Sequence, residues 1–123
     1  MPEISEEDLA RFVSASIPSI WALESLLLLK RAAPRTKRKE ELVAELRSSD
    51  LAIAQGLHRL EKAGLVARDD GQYCYRPASP MLAALGDEIE RVYGLKPMRL
   101  MQIILSAKHD SLQVFADSFR LKE

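Results

Sequence analysis

The side chains with the most chemistry to offer are cations and amides at close or helical spacing. Arg35, Lys37, Arg38 and Lys39 crowd into positions 35–39. Such a run is either a solvated face or a grip on phosphates. Phosphate contacts would set affinity and salt dependence without selecting a sequence. Downstream, Asp50, Leu51, Ala52, Ala54, Gln55, His58 and Arg59 fall on one side of an expected helix, where Asp50 would repel a phosphate. Gln55 can pair with adenine, Arg59 can pair with guanine or hold phosphate, and the apolar members can touch thymine methyls.

Other chemistries find little material. His58, His109 and Cys74 are the only histidines and cysteine, too few and too scattered for a metal cluster. There is no glycine-rich phosphate loop and no plausible serine or cysteine nucleophile with its base. Glu40-Glu41, Asp69-Asp70 and Asp87-Glu88 are neighbours in sequence, and adjacent residues of a helix do not face one another. The chain is expected to be a binding protein, not an enzyme, with no cofactor and no metal.

Charge is balanced overall, 18 basic against 18 acidic residues, but unevenly placed. Residues 1–30 carry Arg11 and Lys30 against five acids, a net of −3. Residues 31–62 carry eight cations against Glu40, Glu41, Glu45, Asp50 and Glu61, a net of +3. Positive charge therefore peaks where the candidate residues lie. At 123 residues and 47% apolar content the chain can fill one core without a disulfide or metal. Its single cysteine fits a reducing compartment. The acidic start MPEISEEDLA lacks the order of a signal peptide. Ile17 to Leu29, the longest apolar run, is too short to span a membrane. Together these predict a cytoplasmic protein.

The elements that must position the candidate residues follow from periodicity and punctuation. Ser5 caps a helix over 6–16 whose inner face is Leu9, Phe12 and Val13. Pro18 separates it from a helix over 20–31, capped by Ser19 and apolar nearly all round, with Trp21 expected in the core. Ala33-Pro34 ends that helix. Thr36 is expected to cap the next one, with Glu40 near the capping-box position and Lys39, Leu42, Val43 and Leu46 on one face. The three cations Lys37 to Lys39 would then open that helix. Ser48 or Ser49 caps a helix over about 49–63, with Ile53, Gly56, Leu57 and Leu60 turned inward. Gly56 costs ~1 kcal/mol against alanine in mid-helix, which implies close approach by another helix. Gly64 sits where a helix-stopping glycine belongs. Leu65 to Arg68, the turn Asp69-Asp70-Gly71, and Gln72 to Arg76 read as a hairpin.

HRLEKAGLVAR followed by DDGQYCYRP resembles the end of the recognition helix and the wing of bacterial winged helix-turn-helix transcriptional regulators of the multiple-antibiotic-resistance-regulator (MarR-like) type. The likeness covers roughly Ser19 to Pro77. It implies a mainly α fold with a short two-stranded wing and additional N- and C-terminal helices. It implies a recognition helix in the major groove, with Ala52, Gln55 and Arg59 on the base side and Arg68, Gln72 and Arg76 in the wing. The acidic tip Asp69-Asp70 departs from the family, where a cation is expected. Ser49 and His58 complete the set expected to touch double-stranded DNA.

Beyond Pro77, Ser79-Pro80 opens a further helix with Leu82, Leu85, Ile89, Val92 and Tyr93 along it and Gly94 stopping it. Met98 to Leu105 is short and apolar, and Leu112, Phe115, Ala116 and Phe119 face one way in a last helix. These segments either complete the core or build a homodimer interface, which would suit a palindromic site. The expected layout is an N-terminal helical segment (1–18), a winged helix-turn-helix (19–78) and a C-terminal extension (79–123) in one compact domain. The alternative reading is a winged-helix module that binds a regulatory protein, favoured by the neutral net charge and the acidic tip.

Overall fold

The structure, a computed structural model, describes residues 3–107. It is mainly helical with a small three-stranded antiparallel sheet. Helix α1 (Glu6–Ser16) begins at Ser5, whose Oγ accepts from the Asp8 N–H at 3.1 Å, and Glu6, Glu7 and Asp8 place negative charge at its positive end. It buries Leu9 and Val13. Pro18 follows, and the chain turns by 106° into α2 (Ile20–Ala32). Ser19 Oγ caps this helix through the Ala22 N–H at 3.1 Å. Ala22, Leu23, Ser25, Leu26, Leu27 and Leu29 are all buried, which makes α2 the central element of the core.

Trp21 departs from expectation. It is 38% exposed instead of core. The reason lies in its neighbour: α2 presses Ala22 against Gly56, where an added Cβ would sit 3.1 Å from the Ala22 Cα and Cβ. That crossing leaves no room for an indole, so the residue beside it is turned to the flank. The expected close approach at Gly56 is thus present, and Ala22 is its other half.

Strand β1 (Lys37–Arg38) corrects a second expectation. Thr36 does not cap helix α3 (Lys39–Leu46); its hydroxyl bonds the Gln72 side chain instead. Arg38 stands at the cap position with no side-chain acceptor to offer, and Glu41, not Glu40, makes the returning half of the box by accepting the Arg38 N–H at 3.0 Å. Lys37 and Arg38 are therefore extended, and only Lys39 begins the helix. Arg47 ends α3 with φ 52°, a left-handed conformation, and Ser49 caps α4 (Asp50–Lys62) through the Ala52 N–H at 3.1 Å. Ile53, Gly56, Leu57 and Leu60 are buried as their spacing predicts.

At the end of α4 the chain makes a Schellman motif: the Leu65 N–H reaches the Leu60 carbonyl and the Gly64 N–H the Glu61 carbonyl, both at 3.1 Å. Gly64 has φ 84°, a conformation glycine adopts without strain. Strands β2 (Val66–Asp69) and β3 (Gln72–Tyr75) pair antiparallel across a two-residue turn, Asp70-Gly71, with φ of 51° and 75°. Positive φ at both positions is the I′ geometry that matches strand twist. The two strands expected gain a third, because β1 pairs with β3, Lys37 opposite Tyr73 and Arg38 opposite Gln72.

Helix α5 (Pro80–Leu95) opens with Ser79 as cap and proline in its first turn. Gly94 does not stop it: the helix runs through to Leu95 and Lys96 closes it. Residues 97–107 form a further helix, α6. Leu85, Ile89, Leu100, Ile103 and Ile104 join the same buried cluster as Leu9, Val13 and α2. Their outer neighbours Met81, Leu95, Met98 and Leu105 are between 49% and 68% exposed. The expected helix around Leu112 to Phe119 lies outside the described residues. No single helix among those described is long and apolar enough to cross a membrane.

Candidate nucleic-acid interface

The burial of Ile53, Gly56, Leu57 and Leu60 against α2 fixes which side of α4 looks outward. Gln55, His58 and Arg59 are exposed there and Ala52 is half-buried, so the residues at helical spacing do share one open face. Leu51 stands beside them at 66% exposure. Ser49 spends one hydroxyl lone pair on the cap of this helix. Arg59 is committed in part: its guanidinium donates to the Ala15 carbonyl. Ala15 lies in the last turn of α1, which has no basic residue of its own. Arg59 therefore supplies the cation that the negative end of α1 lacks, and satisfies one of its open carbonyls.

The upstream cations are more neutralised than their sequence suggests. Lys37 Nζ lies 2.9 Å from Glu45 Oε1, and Lys39 Nζ lies 3.0 Å from Asp50 Oδ1. The hydrogen bond to Asp50, with its charge, holds the Lys39 ammonium above its ordinary pKa. Both lysines hold acids nearby in the chain, Glu45 in α3 and Asp50, the first residue of α4. Arg35, Arg38 and Arg47 are exposed and form no ion pair among the described residues.

Around the hairpin the pattern is mixed. Arg68 Nε is 3.6 Å from Glu61 Oε1, a link from β2 back to α4. Gln72 is half-buried and its side-chain oxygen is taken by Thr36. Arg76 is exposed just past β3. Asp69 and Asp70 are exposed at the tip, where they would repel a phosphate. The structure thus gathers Ala52, Gln55, His58 and Arg59 on one face. It places Arg38 in the edge strand β1 with Arg35 just before it, and leaves Arg68 and Gln72 engaged within the fold.

Sequence reasoning put Trp21 in the core. The indole, with Pro18, lines an open groove whose far wall is Ala52, Gln55, His58 and Arg59. The usable signal was the pair Ala22 and Gly56: two small residues mark a tight crossing, and a large residue next to one of them must lie along the partner helix. Among the described residues no three His, Cys, Asp or Glu side chains come together to hold a metal ion. Compared with models of protein families and with curated proteins, the chain matches none.

Proposed function

We propose that this chain is a DNA-binding transcriptional regulator built as a winged helix-turn-helix of the MarR-like type, with α4 as recognition helix and β2–β3 as wing. The observation that carries the reading is the outward face of α4. It presents Ala52, Gln55, His58 and Arg59 on a rigid helix anchored through Gly56 to α2, with exposed Arg35 and Arg38 at the adjoining sheet. A helix so mounted can enter a major groove while the cations meet phosphates. In this reading the protein works in the cytoplasm of a bacterial cell, as a homodimer, and catalyses nothing.

The experiment is fluorescence anisotropy of labelled fragments of genomic DNA titrated with the full chain at increasing salt. Binding is expected to weaken linearly in log–log form, with a slope of ~0.9 for each phosphate neutralised. No binding at low salt would overturn the reading.

A second reading, a winged-helix module docking another protein, is favoured by Leu51 at 66% exposure and by the ion pairs that occupy Lys37 and Lys39. It predicts that Leu51→Asp abolishes capture of a partner, while Arg35→Ala and Arg38→Ala leave capture unchanged.

A further inference from the structure

An α-helix with its side chains is about 10–12 Å across, and the major groove is about 12 Å wide. A recognition helix therefore fills the groove, and whatever flanks it meets the sugar–phosphate backbones on either side. On one flank of α4 the fold places Trp21, at the start of α2. Pro18 and Trp21 face Ala52, Gln55, His58 and Arg59 across an open groove. A second shallow groove continues from it along Ala15, Ser16, Arg59, Lys62 and Ala63, with Arg59 shared between the two.

The chemistry of this surface is one-sided. Neither groove is lined by a carboxylate, although the chain as a whole carries as many acids as bases. Its charged members are Arg59 and Lys62, and its polar ones include Gln55 and His58. Trp21 adds a broad apolar face and a single N–H donor with no acceptor. A large aromatic 38% exposed and outside the buried cluster gains nothing by that exposure for stability. The set suits a polyanion that also offers apolar surface. A deoxyribose–phosphate strand is such a partner: the sugars pack on the indole, and the phosphates meet its N–H and the two cations.

We infer that Trp21 and the groove it forms with α4 are a docking site for the DNA backbone strand flanking the recognition helix. The inference rests on the DNA-binding reading and extends it to a residue of α2. Base stacking is not required, since bases in a duplex are already stacked and only the backbone is presented to the flank.

The test uses the fact that Trp21 is the single tryptophan of the chain, so its emission reports this groove alone. DNA binding is followed by anisotropy of labelled duplex, and the indole by emission and by acrylamide quenching in the same titration. Expected are a change in Trp21 emission and protection from acrylamide that saturate with the anisotropy. Trp21→Ala should lose about tenfold or more in affinity, the scale of a buried aromatic anchor. Trp21→Phe, which keeps a ring and so the fold, should lose a smaller but measurable part. Should DNA bind while emission and acrylamide access stay constant and Trp21→Phe matches wild type, this inference is overturned and the DNA reading stands. Should no duplex bind at all, both fall. A poorly folded Trp21→Ala does not shelter the idea, because the wild-type emission and Trp21→Phe decide it.

Discussion

Tyr75 carries a hydroxyl that the fold buries without giving it a hydrogen-bond partner among the described residues. Its ring lies under Lys30 Nζ, 5.6 Å from the centroid, a cation–π distance. Its hydroxyl occupies the space where a Cβ on Gly86 would stand. Gly86 is thus glycine for room, not for backbone conformation. A buried hydroxyl with no partner costs about 1–3 kcal/mol of desolvation. Tyr75→Phe is therefore expected to be neutral or to stabilise by up to about 1 kcal/mol in urea denaturation. Gly86→Ala should destabilise by about 1–3 kcal/mol through overpacking. Because the clash is with the hydroxyl, Tyr75→Phe should recover much of that loss when the two are combined. Equal losses for Gly86→Ala in both backgrounds would refute the steric assignment.

At the scale of elements, polar ties hold α5 to α2. Lys30 Nζ contacts Asp87 Oδ1 at 3.0 Å and Glu90 Oε1 at 2.8 Å, and the Tyr93 hydroxyl donates to Glu24 Oε1 at 2.5 Å. Burial lowers the Lys30 pKa, but its bonds to Glu90 and Asp87 outweigh this and raise it above 10.5. Burial raises Tyr75 above 10.0, and the bond to Glu24 with burial raises Tyr93 likewise. All three folded values exceed the unfolded ones, so the folded state holds these protons more tightly. Stability therefore depends on keeping these protons: it is undiminished below pH ~10 and is lost as pH rises through the folded values. The urea midpoint should change little from neutral pH to about pH 9 and fall above ~10, and Lys30→Met should make that fall shallower. A midpoint equally pH-dependent in Lys30→Met would remove Lys30 from the account. These ties join residues some sixty or more positions apart in sequence, and local pattern does not encode such pairings. Pattern did encode the caps at Ser5, Ser19 and Ser79, narrowed that of α4 to Ser48 or Ser49, and encoded the inward face of α4 and the glycine stop at Gly64, since each depends on residues within a few positions. It misplaced Thr36 because a two-residue strand pairing with β3 carries no period of its own. It misplaced Gly94 because glycine inside a helix costs only ~1 kcal/mol against alanine, and α5 runs one residue past it before Lys96 closes it. It found the open face of α4 and put Trp21 in the core, because that residue's position depends on a crossing between two helices.

For the whole molecule the question is how a chain of zero net charge could hold a polyanion. Segregation is one part of the answer, with an acidic first 30 residues and a basic stretch after them. Internal neutralisation works against it: Glu45 and Asp50 occupy Lys37 and Lys39. Exposed ion pairs of this kind are worth little to stability, because solvent screens them and holding two long side chains together costs entropy, so their removal should be tolerated. Asp50 is the first residue of α4 and interacts favourably with its helix dipole. Asp50→Asn is thus expected to lower the melting temperature slightly. In the DNA reading it frees Lys39 and removes a negative charge from the helix that enters the groove. Affinity for duplex should rise, and the salt slope should steepen by ~0.9 if Lys39 then takes a phosphate. Glu45→Gln should act in the same sense through Lys37, from a position outside the α4 face. Stability and affinity moving in opposite directions is the informative result, since simple damage to the fold would lower both. An unchanged slope in both variants would mean that neither lysine reaches phosphate and that the grip lies with Arg35, Arg38 and the α4 face.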